Sequence, residues 1–194
     1  MKCMTNLTER VGEYLADRAG GIQDALASPA RSSRVAVVIG RVLGAAFIMC
    51  FITGLFSHFL QDPLPWMRFP TWPANLYGLT QGVHVTVGIA CIPLVLGKLW
   101  AVYPKLFTWP PVRSLPQALE RASIAVLVSA ALLQVAMGLI NTYQWYPWPF
   151  SFRKVHYALA WVIIGSLAIH IAVKLPIIVR HWRAASVGAD DGQE

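Results

Sequence analysis

The chain contains five histidines. Four of them, His58, His84, His156 and His170, fall inside or at the edge of long apolar runs. An ionisable side chain in such a run is costly and by default marks a functional site. His156 and His170 are fourteen residues apart. On one helix that is nearly four turns, so the two imidazoles share a face within about 40° and stand about 21 Å apart along the axis. A helix of this kind offers one nitrogen at each of two depths in a bundle, each to be matched by a nitrogen from an opposing helix. Imidazole is a standard axial ligand of haem iron, and stacked haems need this arrangement. One haem and two both stay open at this point.

Elements able to position such groups follow from composition. Hydrophobic residues make up 56% of the 194 residues and charged residues 13%, against roughly 25% charged in a soluble domain. Four stretches are apolar for about twenty residues, enough to cross a bilayer core. They run over 35–60, 79–103 (with Pro93 inside), 122–143 and 155–178. A soluble enzyme, a disordered tail and a disulfide-stapled secreted domain are excluded. The expected fold is an all-α integral membrane protein, a four-helix antiparallel bundle. Its domain 34–183 follows an amphipathic segment, 1–33, and precedes a polar tail, 184–194. In the first segment Leu7, Val11, Leu15, Ile22 and Leu26 recur at helical spacing. They predict an interfacial helix, broken near Gly20-Gly21 and ended by Pro29. The segment has no apolar core or cleavage site of a signal peptide.

The net charge of +7 sits beside the spans, where basic residues set orientation, so it does not read as nucleic-acid binding. Arg31, Arg34, Lys98, Lys105, Arg113, Arg121, Arg180 and Arg183 flank one set of helix ends; Arg68, Arg153 and Lys154 flank the other. Both termini are therefore expected in the cytoplasm. The connections 61–78 and 144–152, rich in Pro and Trp (Trp66, Trp72, Trp145, Trp148), are expected outside. That polarity puts His58, His84 and His156 at one outer level and His170 deeper. His84 with His156 is the expected pair for an outer haem. His170 lacks an obvious partner at its depth, Met49 and Met137 being the other candidates beside His58, and His181 is expected at headgroup level.

Gly54 and Gly88, each one turn from a histidine, would relieve crowding against a ring, although glycines in lipid serve close helix packing more often. Arg68, Arg153 and Lys154 are candidate partners for haem propionates or plain interfacial anchors, Arg153 being favoured by its nearness to His156. Arg41 and Lys174 have the same two readings at the cytoplasmic side. Gln81, Gln134 and Asn141 could bind a quinone, or link helices. Cys3, Cys50 and Cys91 form neither CxxC nor CxxCH, which excludes a zinc ribbon, a thioredoxin-type site and covalently attached haem.

Four segments carry a resemblance: Gly54-Leu55-Phe56-Ser57-His58, Thr80-Gln81-Gly82-Val83-His84, IPLVLGKLWAVYPKLFTWPPVRS (92–114) and WYPWPFSFRKVHYALAWVIIGSLAIHIAVKLP (145–176). In them the chain resembles the four-helix membrane-bound cytochromes b of bacteria. It is most similar to the actinobacterial type fused to or accompanying a sulfite-oxidase-like molybdopterin oxidoreductase. The resemblance implies haem b held by His58, His84, His156 and His170, and electron exchange with the quinone pool or a redox partner. No molybdopterin domain follows in this sequence, so that partner is expected on a separate polypeptide. In many dihaem cytochromes b the histidine of the first helix lies toward the cytoplasm, whereas here it is outward. The expected function is electron transfer in a bacterial plasma membrane. Its rivals are a quinone or ferric reductase and a haem-free membrane anchor or assembly subunit.

Overall fold

The computed structural model describes residues 2–112 and 114–190, with side chains for 7–32, 34–112, 114–173 and 175. Among the described residues the chain is helical, with no strand: α1 (Lys2–Ala25), a 3-10 turn (Pro29–Arg31), α2 (Ser33–Gln61), α3 (Leu76–Val102), a second 3-10 turn (Tyr103–Phe107), α4 (Leu115–Thr142) and α5 (Phe152–Asp190). Helices α2 to α5 are each long and apolar enough to cross a membrane. This is a multi-pass membrane protein.

Local chemistry sets the ends. Ser32 caps α2 by accepting from the Val35 N–H, and Ser114 caps α4 by accepting from the Gln117 N–H; a hydroxyl at this position satisfies one of the orphan donors of the first turn. Asp62 closes α2 by donating its N–H to the His58 carbonyl, just before Pro63. Beyond α3, the second 3-10 turn starts at Tyr103 with Pro104 as its second residue. Pro93 lies inside a continuous α3.

Three sequence-based boundaries move. Helix α1 runs unbroken through Gly20-Gly21 and ends at Ala25, ahead of Pro29. A glycine costs about 1 kcal/mol relative to alanine in a helix interior, too little to stop a helix already propagating. Helix α4 starts at Leu115 and not near 122, because its polar first turns continue the helix beyond the apolar run. Helix α5 passes through 176 and 184 to Asp190, so no change of secondary structure marks the tail boundary. The expectations resting on Cys3, Arg113, Lys174, Arg180, His181 and Arg183 lie outside the described side chains.

Helix α2 packs chiefly on α3 and α4 on α5, and contacts of α3 with α4 and of α2 with α5 close the bundle. Phe47, Cys91, Val95, Ala130, Ala131 and Ile163 form its buried centre. Side chains such as Val38, Val42, Ile52, Leu96, Leu133 and Ile169 point outward, as a lipid-facing surface requires. Helix α1 rests on the second 3-10 turn. Arg31, in the first 3-10 turn, packs on α3: its guanidinium lies 4.8 Å over the Trp100 ring and donates to the Leu26 carbonyl at 2.6 Å.

Candidate functional site

On the side of the Trp- and Pro-rich connections the bundle opens into a cavity of about 640 Å³, within the 300–1,000 Å³ usual for cofactor sites. It is lined by the C-terminal halves of α2 and α4 and the N-terminal halves of α3 and α5. Helix antiparallelism therefore brings residues distant in sequence to one level. His58, His84 and His156 all line it.

His84 and His156 face each other across this space, with ring centroids 6.1 Å apart and planes crossed at 72°. A nitrogen ligand bonds a transition metal at roughly 2.0–2.1 Å, which puts two imidazole centres about 6.3 Å apart across one ion. Among the described residues no three His, Cys, Asp or Glu side chains converge as a protein-only metal site.

The protonation of His84 follows from its partner. Its Nδ1 lies 2.9 Å from the Cys50 carbonyl oxygen, an acceptor only, so Nδ1 carries the proton and donates it. The Thr53 hydroxyl, which donates to the Met49 carbonyl at 2.7 Å, stands 3.3 Å from the same nitrogen. Nε2 is left with the lone pair, the tautomer a ligating histidine needs. Cys50 also donates its thiol to the His84 carbonyl at 3.8 Å, so α2 and α3 are tied in both directions at this residue.

Gly54 explains how the ring fits. A Cβ there would stand 2.8 Å from His84 Cε1 and 3.1 Å from Nδ1, closer than a real side chain tolerates. Across the cavity, a Cβ on Gly138 would lie 3.8 Å from His156 Cε1. Phe152, one turn before His156, stacks on its ring at 5.0 Å. Gly88 lines the cavity and a Cβ there would meet nothing within 4 Å. The closest glycine contact among the described residues is thus Gly54 with the His84 ring, and the Gly40/Gly44 pair does not bring two helix backbones together: Gly40 meets the tip of Lys98, and Gly44 meets nothing.

The remaining sequence candidates separate by position. His58 stacks on Tyr157, centroids 4.2 Å apart and planes at 17°, so it sits at the level of His156 and is not brought to His170. His170, half-buried on α5, is not among the cavity-lining residues. Neither are Met49, which is exposed, and Met137, which is packed into the bundle at 2% exposure. Arg153 lines the cavity mouth, 3.5 Å from Gln61 Oε1 and 4.0 Å from the Asp62 carboxylate. Arg68 and Lys154 are exposed and do not line it. Gln81 and Asn141 line the mouth, Asn141 accepting from the Tyr146 hydroxyl at 2.7 Å. Gln134 joins α4 to α5 by donating Nε2 to the His156 carbonyl at 3.1 Å.

Sequence reading misses Thr53, Phe152 and Tyr157, and treats Cys50 as a core filler and Gly138 as one more small packing site. Phe152 carries a local signal, one turn from His156; Cys50, Thr53 and Gly138 meet the histidines, and Tyr157 meets His58, through helix pairing, which spacing does not encode. No family model, curated protein or solved structure matches this chain.

Proposed function

We propose that the chain is a membrane electron-transfer subunit, a b-type cytochrome, with His84 and His156 as the axial ligands of one haem b. The observation that carries this reading is the facing of the two imidazoles at 6.1 Å across a cofactor-sized cavity, together with the His84 Nδ1 donation to Cys50 that leaves Nε2 as its lone-pair nitrogen. The composition of the lining fits the group: apolar side chains such as Phe47, Val85, Ile89, Leu139 and Ile163 around the body and polar ones at the mouth.

When bound, haem supplies a one-electron ferric/ferrous couple. The chain's own residues do the rest. Cys50 and Thr53 hold the His84 ring in its tautomer, Gly54 leaves room for that ring, and Phe152 stacks on His156. Arg153 is the cation at the mouth that would meet the propionates, with Gln61 Oε1 beside it accepting from its guanidinium. With both histidines engaged, the group would have no open position for a substrate, and the chemistry it would supply is outer-sphere electron transfer. Four spans surround the site with low dielectric, which disfavours the charged ferric centre and so tunes the couple.

The setting we propose is a bacterial plasma membrane with both termini cytoplasmic, as the Lys and Arg asymmetry supports. Helix α1 then lies on the cytoplasmic face, its exposed Leu7, Val11, Leu15 and Ile22 against the headgroup boundary. Electrons are exchanged between the quinone pool or respiratory chain and a separate oxidoreductase, of molybdopterin or other type. Redox difference spectra of membranes carrying the chain test the reading. A dithionite-reducible haem b signal is expected in the wild type, to be lost in His84→Ala and in His156→Ala; equal signals in all three refute it.

A further inference from the structure

The two facing histidines are anchored unequally. His84 donates its Nδ1 proton to the Cys50 carbonyl. His156 Nδ1 is buried with no hydrogen-bond partner. The amide of Gln134 donates Nε2 to the carbonyl of His156, and its own oxygen, Oε1, is likewise buried with no partner. An orphaned ring nitrogen thus sits in the same residue whose carbonyl binds an amide with an orphaned acceptor.

Each orphan is costly in a dry interior, and joining them removes both costs. The same face of α4 borders ring and backbone alike: Gly138, one turn from Gln134, has its Cβ direction 3.8 Å from His156 Cε1. The terminal torsion of glutamine is broad, so turning the amide is cheap. The bond given up is expendable, because the His156 carbonyl, inside α5, already accepts the helical N–H four residues on.

We propose that Gln134 is the positioning residue of His156: its amide oxygen accepts the Nδ1 proton and fixes Nε2 as the lone-pair nitrogen offered to the cavity. The hydrogen bond is independent of any cofactor; its effect on a haem potential rests on the function proposed above. One imidazole is then held by a backbone carbonyl and the other by a side-chain amide, which makes α4 the adjustable side of the site. A stronger acceptor at 134 adds electron density to the imidazole and favours the oxidised metal.

The test uses the full chain labelled with ¹⁵N-histidine and prepared without haem, in the wild type, Gln134→Leu and Gln134→Glu. Gln134→Leu is an apolar near-isostere compatible with a membrane helix, and far-ultraviolet circular dichroism checks its folding. Nitrogen chemical shifts of His156 are expected to show the Nδ1–H tautomer in the wild type. That preference should be lost in Gln134→Leu and restored in Gln134→Glu. In haem-loaded protein the midpoint potential should rise for Gln134→Leu and fall for Gln134→Glu, with haem affinity about 10–100-fold weaker for Gln134→Leu. His156 shifts identical in all three folded, haem-free proteins would overturn the assignment. Failure of the wild type to take up haem would refute the proposed function and leave the nitrogen-shift result standing on its own.

Discussion

The Nδ1 proton of His84 goes to a carbonyl on the neighbouring helix, and the ring it orients fits only because residue 54 has no side chain. Gly54→Ala would place a methyl group 2.8 Å from the ring, and a hydrogen-bonded imidazole cannot yield cheaply. The expected outcome is folded protein that loses most of its haem absorption, measured beside Gly44→Ala, which lies outside the cavity, has a Cβ that meets nothing and should retain it. The crossed planes carry a spectroscopic expectation too: at 72° the oxidised protein should give the strongly anisotropic low-spin EPR signal of non-parallel imidazoles. Part of this residue-level detail was legible. Chain polarity alone puts His84 and His156 at one level, and the structure brings their rings to a centroid distance of 6.1 Å with crossed planes. Gly54 was read as room beside His58, its neighbour one turn on, whereas it serves His84 on the facing helix. The difference lies in helix register, which depends on how α2 and α3 pack and leaves no trace in either segment alone. The arginine and lysine candidates divide for the same reason: Arg153 turns to the cavity mouth while its neighbour Lys154 is exposed and outside it.

At the level of elements, long apolar runs announce the four spans because lipid requires them, and the structure keeps all four. Their ends are less legible, since hydropathy falls before the helix does. Helix α4 begins about two turns before its apolar run, on a cap made by Ser114. Ser114→Ala should cost about 1 kcal/mol, read as a lower detergent-denaturation midpoint, with haem content per folded chain unchanged because the cap is at the end of α4 remote from the cavity. Lys98 shows a related limit. Its hydropathy cost suggests an anchor that reaches for headgroups, yet its ammonium donates to the Ala36 carbonyl at 2.6 Å and so joins α3 to α2.

In the whole molecule, packing divides the bundle into an apolar centre around Cys91, Val95 and Ala130 and an open cavity toward the Trp- and Pro-rich connections, with Phe47 and Ile163 at the border between them. The orientation inferred from basic residues places that cavity toward the outer surface. In a Cys3→Ser background, Trp72→Cys (83% exposed) should react with a membrane-impermeant maleimide in intact cells. Leu115→Cys (73% exposed) should react only after lysis. The reverse pattern would invert the topology and turn the cavity to the cytoplasm. The centre of the account is tested most directly by pyridine haemochrome stoichiometry on the purified full-length chain. One protohaem per chain is the expected result, falling to none in His84→Ala and His156→Ala; a folded wild-type chain free of haem under haem-replete expression would contradict it.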